Sequence, residues 1–176
     1  MMQGVNQTEV TLVPFEEKWV DEFTSEKERL MSIIGKDIVA IEHFGSTAIG
    51  GIATKPVIDI LIGVTNLEDV QYFDKQALAK EKYYPLKFVE QKGKVVFAKF
   101  PALPDLRRTH YLHVVEHKGD WWNRHVHFRD TLKNNRGLAK EYEQLKKKLA
   151  TSYPEDVRAY TEGKEAWIQS VEQQYK

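Results

Sequence analysis

Apolar positions along the chain change period several times, and each change marks an element. Residues 10–13 form a short apolar run that reads as β and ends at Pro14. Trp19, Phe23, Leu30, Ile33 and Ile34 then share one helical face, and Gly35 is a suitable stop. Residues 38–44 (IVAIEHF) read as a strand and residues 45–55 as a loop rich in small residues. Residues 57–64 (VIDILIGV) are β-branched and almost wholly apolar, the pattern of a central strand covered on both faces. A helix is expected from Asn66 to about Lys80. Residues 82–90 and 94–100 flank Lys92-Gly93, which predicts a hairpin. After a loop over 101–108, residues 109–116 form another strand, and Asp120 is expected to cap a helix over 121–133. Two more helices follow, separated by Thr151, Ser152 and Pro154. Leu138, Tyr142, Leu145 and Leu149 share a face of the first, and Val157, Tyr160, Lys164, Trp167 and Val171 a face of the second. The sum is α/β (α+β): a mixed sheet with flanking helices, then a helical C-terminal part over about 120–176, in one domain spanning 1–176.

Composition narrows the function more than the fold. Lys and Arg number 26, as do Asp and Glu. Zero formal charge excludes a protein that coats nucleic acid or anionic membrane through bulk charge, so any positive site must be local. The chain has no cysteine, which removes a disulfide framework, a thiolate metal site and a cysteine nucleophile. Residues 1–20 lack a basic cluster followed by an apolar core, and no apolar run approaches the roughly 20 residues of a membrane span. A cytoplasmic protein with no membrane partner is expected.

Candidate chemistry concentrates in residues 42–64, EHFGSTAIGGIATKPVIDILIGV. Gly45, Gly50 and Gly51 permit tight bends, and Ser46 and Thr47 offer hydroxyls, the groups that cradle a phosphate; the same composition also serves a plain structural turn. A P-loop is excluded, because Gly51 and Ile52 stand where Lys and Ser/Thr are required, and the spaced-glycine dinucleotide pattern fails as well. Asp59 lies inside the apolar strand, on a face with Val57, Leu61 and Gly63. An ionised carboxylate there is costly unless paired, coordinated or open to a cleft. A salt bridge and a functional role both satisfy that requirement.

Five of the six histidines lie between His110 and His127. Strand alternation puts Tyr111, His113, Val115 and His117 on one face and His110 and Glu116 on the other. Trp121, His125, Phe128 and Leu132 form a stripe on the next helix, most simply read as core, with Trp122, Val126 and Arg129 beside it. His113 is the polar group amid apolar strand residues. A zinc hydrolase lacks support, since no HExxH helix is present. Lys55, Arg107, Arg108 and Arg129 lie near these elements and could add phosphate-binding charge, although each alone also reads as a solvated residue.

IEHFGSTAIGGIATKPVIDI closely resembles the signature of the bacterial GrpB family, as does the later run THYLHVVEHKGDWWNRHVHFRDTLKNN. The likeness runs from Pro14 and Trp19 to Trp167. It implies a nucleotidyltransferase-like fold. In that superfamily a Gly-Ser turn holds nucleotide phosphates, two carboxylates one residue apart on the next strand bind divalent metal, and a later strand adds a third. Gly45-Ser46 matches the turn and Asp59 the first carboxylate. The second position is Leu61, and the inward residue of the later strand is His113. Related domains also occur fused to dephospho-coenzyme A kinase. The resemblance therefore implies binding of a nucleotide or phosphorylated small molecule, with metal-dependent nucleotidyl transfer or a non-catalytic binding module as the two forms. In the first form Asp59 and His113 are catalytic and hold Mg2+ or Mn2+. Gly45, Ser46, Thr47, Lys55, Arg107, Arg108 and Arg129 bind phosphate or nucleotide in either.

Overall fold

The computed structural model describes residues 4–5, 8–86, 93–102 and 106–175. The apolar stripe that begins at Trp19 forms helix α1 (Lys18–Ile34), closed by a 3-10 turn, and strand β1 (Ala40–Phe44) follows. The small-residue loop contains one helical turn, α2 (Ser46–Ile49), before β2 (Ile58–Val64). The long helix expected after Asn66 is two pieces: a 3-10 segment (Leu67–Tyr72) and α3 (Lys75–Lys80). Asp74 breaks it, because its side chain accepts from the Ala77 backbone N–H and starts a new helix. Strands β3 (Tyr83–Pro85), β4 (Val95–Lys99) and β5 (His110–Glu116) complete the sheet; residues 87–92 of the expected hairpin lie outside the described residues. The run 10–13 is no strand. Val13 makes an isolated two-bond bridge with Thr54.

The sheet order is β1-β2-β5-β4-β3, with β2 and β5 parallel and the other neighbours antiparallel. Alternation on β2 sorts its residues by layer. Ile58, Ile60, Ile62 and Val64 join Leu30, Ile34, Phe97, Leu112 and Val114 in the main core beneath α1. Leu61 turns to the opposite face, where Phe44, Val115 and Trp122 bury it. On that same face Asp59 lies nearer the open end of the strand, where this second apolar cluster has run out.

Helices α4 (Asp120–Asn134), α5 (Arg136–Ser152), α6 (Val157–Glu162) and α7 (Glu165–Gln174) cover that end. Asp120 is the first helical residue of α4 rather than its cap, which is Gly119; its charge still suits the positive helix end. The expected last helix is divided at Gly163–Lys164, where α6 ends and α7 begins. The helices form their own apolar cluster from Leu132, Leu138, Ala139, Tyr142 and Val171 with Ile49 and Ile52 of the small-residue loop. Among the described residues no helix is long and apolar enough to cross a membrane.

Candidate functional site

A cavity of about 460 Å3 lies between the second face of the sheet and α4–α7. That volume suits a small-molecule ligand. Its floor is built by β2 and β5. The parallel register sets Asp59 opposite Tyr111 and Leu61 opposite His113. Asp59 Oδ1 lies 3.5 Å from His113 Nε2. Both ring nitrogens of His113 are buried without a hydrogen-bond partner, and Nε2 has only this longer approach to the Asp59 carboxylate.

Gly45 is what lets the turn lie against this floor. Its φ is +71° and ψ −174°, a conformation that glycine alone adopts easily. A Cβ there would run into the Asp59 carboxylate. Ser46, next to it, lines the cavity together with Tyr142, whose burial pushes its phenol up to about 12, an effect that Ser46 partly offsets. Thr47 is turned away from the cavity. Its hydroxyl donates to the Val57 carbonyl at 3.3 Å and meets His43 Nε2 at 3.0 Å. Because the one hydroxyl proton goes to Val57, His43 must donate through Nε2. Thr47 is thus spent inside the fold, which departs from the expected phosphate role.

The basic residues separate into two groups. Arg129 lines the cavity, but Nη1 donates to Glu42 Oε2 (2.9 Å) and the His43 carbonyl (2.8 Å), and Nε to Asp130 (2.8 Å). It buckles α4 to β1 more than it faces a ligand. Arg124 is likewise held by Glu172 (2.6 Å) and Glu165 (2.7 Å) across the cavity mouth. Lys55, Lys94, Arg108 and Lys164 also line the cavity, and none has an ion-pair partner within 4.0 Å among the described residues. Arg108 donates to the Tyr111 hydroxyl at 3.0 Å and leaves a buried Nε unbonded. Arg107 is exposed and lies outside the lining, unlike the expectation for it.

Electrostatics follow from this arrangement. Burial lowers the ammonium pKa of Lys55 and of Lys94, and the Asp59 charge partly offsets it in both. Lys164 falls to about 8, through burial and repulsion from Lys55. Asp59 is therefore the shared counter-charge of three lysines. On the opposite wall, His125 is held near 4 by burial, and so is neutral at pH 7. Its Nδ1 donates to the Trp121 carbonyl at 2.8 Å, which leaves Nε2 as an acceptor. The His125 ring stacks on Trp121 with centroids 3.4 Å apart, and Lys94 sits 5.1 Å from a Trp121 ring centroid.

Lys94, Lys164, Trp121, His125, Tyr142 and Tyr160 are site residues that the sequence reading assigned to the core or to no role. Lys164 carried a usable signal, a lysine within an apolar helical stripe. Lys94 and the inward turn of Thr47 carried none.

The five-stranded mixed sheet with its flanking helices is a nucleotidyltransferase-like fold. The structure of Cid1 poly(U) polymerase with MgGTP bound shares that fold at a TM-score of 0.52 and 13% identity, over 78% of this chain and 44% of Cid1. By sequence, this chain belongs to the GrpB family, whose profile, described as GrpB protein, matches residues 9–174. It is 50% identical over 170 residues to the glutamate-rich protein GrpB of Alkalihalophilus pseudofirmus, covering 97% of this chain and 98% of that one. The crystal structure of conserved protein GrpB from Enterococcus faecalis is 28% identical, with a TM-score of 0.83 over 94% of this chain and 96% of that one.

The resemblance implies a divalent metal, and the donors here do not form the three-carboxylate set that it calls for. The second carboxylate position is Leu61, 0% exposed in an apolar cluster. Among the described residues no three His, Asp or Glu side chains converge to ligate a cation. Glu42 is engaged with Arg129, and Glu116 is exposed on the last residue of β5. Asp59 and His113 are two donors among four cations without carboxylate partners.

Proposed function

We propose that this cavity binds a nucleotide or another phosphorylated small molecule. The observation that carries the reading is the set of four cations, Lys55, Lys94, Arg108 and Lys164, gathered in one cavity around a single carboxylate. Half-buried cations without carboxylate partners are costly to the fold, and an anionic ligand offsets that cost. Ser46 adds a hydroxyl beside them. The wall of Trp121 and His125 suits a planar ring, with His125 Nε2 as acceptor for a ligand donor group. Asp59 and His113 line the same cavity.

A binding module accounts for these residues better than metal-dependent nucleotidyl transfer. Leu61 withholds the carboxylate that a two-metal mechanism requires. Calorimetric titration with nucleoside triphosphates and with coenzyme A precursors tests the reading. Saturable binding is expected, weakened about tenfold or more in Arg108→Ala, the size of a lost charged hydrogen bond. Absence of binding across both sets would sink it, and pyrophosphate release would promote the transferase form.

A further inference from the structure

We infer that the phosphoryl groups of the ligand are neutralised in this cavity by lysine ammonium groups in place of a divalent cation, with Lys55 and Lys164 as the clamp. This rests on the anion-binding reading and adds how the charge is met. The first support is the donor set. On β2 the position two residues beyond Asp59, on the same face, is filled by Leu61 against Phe44, Val115 and Trp122. The carboxylate pair that would bridge a cation to phosphate oxygens is reduced to one group.

The second support is what surrounds that group. The charge of Asp59 acts on Lys55, Lys94 and Lys164 together. A divalent cation drawn to Asp59 meets three ammonium groups and the Arg108 guanidinium in a partly desolvated cavity, where like charges repel most strongly. A phosphate in the same cavity meets four opposite charges against the single Asp59 carboxylate.

The third support is geometric. The Lys55 and Lys164 ammonium groups both sit over the Tyr160 ring, 5.4 and 4.7 Å from its centroid. The ring gives each cation a favourable contact and draws two like charges to one residue of the cavity lining. Each ammonium carries three donors, so the pair can serve oxygens of adjacent phosphoryl groups. The ring is itself fixed, since Tyr160 is 1% exposed.

Calorimetry of the full chain with inorganic tripolyphosphate, once in EDTA and once in excess MgCl2, decides the matter. Binding is expected in EDTA and is expected to weaken with Mg2+, because the cation then competes with the lysines for the same oxygens. Lys55→Met and Lys164→Met, which keep an apolar stem, should each weaken binding in EDTA about tenfold or more. Thermal melting checks that each variant folds, and Lys75→Ala, an exposed lysine on α3, serves as the charge control. Binding that appears only with Mg2+ or Mn2+ overturns the lysine clamp and leaves the anion-binding reading standing. Absence of binding under both conditions overturns both.

Discussion

At Gly45 two constraints meet that can be separated by experiment. The backbone conformation there, φ +71° with ψ −174°, strains any residue with a Cβ by about 1–3 kcal/mol. The Asp59 carboxylate occupies the space that the Cβ would take. Gly50 shares the positive φ, +84°, but a Cβ there meets only the Phe15 ring at 3.9 Å. Gly50→Ala therefore reports strain alone, and Gly45→Ala reports strain plus displacement of Asp59. We expect Gly45→Ala to be the more destabilising of the two in urea titration, by about 1–2 kcal/mol, the scale of overpacking a fixed neighbour. Equal losses would mean that Asp59 moves aside freely and that the turn does not set the cavity floor. The sequence showed the glycines and the buried acid, because a glycine cluster and a charge inside an apolar strand each need a physical reason for their positions. It did not show that they touch, because that contact depends on how β1 and β2 pair.

Between elements, side chains named for ligand binding also act as fasteners. Arg129 has three bonds to Glu42, Asp130 and the His43 carbonyl, and is 12% exposed. It ties α4 to the strand that leads into the Gly45 turn. Arg129→Lys keeps the charge and loses the planar fork, so it should cost about 1–2 kcal/mol in stability. Affinity for tripolyphosphate should fall less than in Lys164→Met. If stability were unchanged and affinity collapsed, Arg129 would be a ligand contact and not a fastener. On α5, Lys146 shows why such roles are hard to read beforehand. It falls four residues after Tyr142, on the apolar stripe, and a lysine there reads as a solvated intrusion. In the structure it is buried, and its Nζ donates to the Ala53 carbonyl at 2.6 Å, while Glu143 accepts from the Ala53 N–H at 2.7 Å. Helix α5 thereby grips both polar groups of Ala53 and fixes the approach to Lys55. Periodicity identified every long helix and the buried strands. It missed the breaks at Asp74 and Gly163, where a side-chain cap or a tight approach to Leu149 interrupts a stripe that continues in phase.

Across the whole molecule, titratable groups were buried in a way that moves the stability optimum upward in pH. His43, His110 and His125 are each lowered to about 4, chiefly by burial. Their unfolded values lie near 6.5. Between those limits the unfolded chain binds more protons than the folded one, so stability rises with pH through that window and is lost in acid. Glu26 acts in the same direction. Burial alone would raise its carboxyl, but bonds from Lys99 (2.5 Å) and Tyr83 (2.8 Å) hold it below the ordinary range, and that stabilisation disappears as it is protonated. The lysines extend the trend. Lys146 lies near 7 and Lys164 near 8, both well below the unfolded value, so stability continues to rise above neutrality. Burial raises the phenols of Tyr83, Tyr142 and Tyr160, which reverses the slope once unfolded tyrosine ionises, near pH 10. Urea midpoints should therefore peak near pH 10, where the lysine and tyrosine slopes cancel, rather than in the common range of about 5–8. Saturating tripolyphosphate should pull the peak back toward neutrality, because a bound anion restores the lysine charges. Lys164→Met should blunt that shift while the acid limb, which belongs to the histidines, stays in place. A peak near pH 6 without ligand would show that these ammonium groups are solvated, and the electrostatic case for the cavity would fall with it.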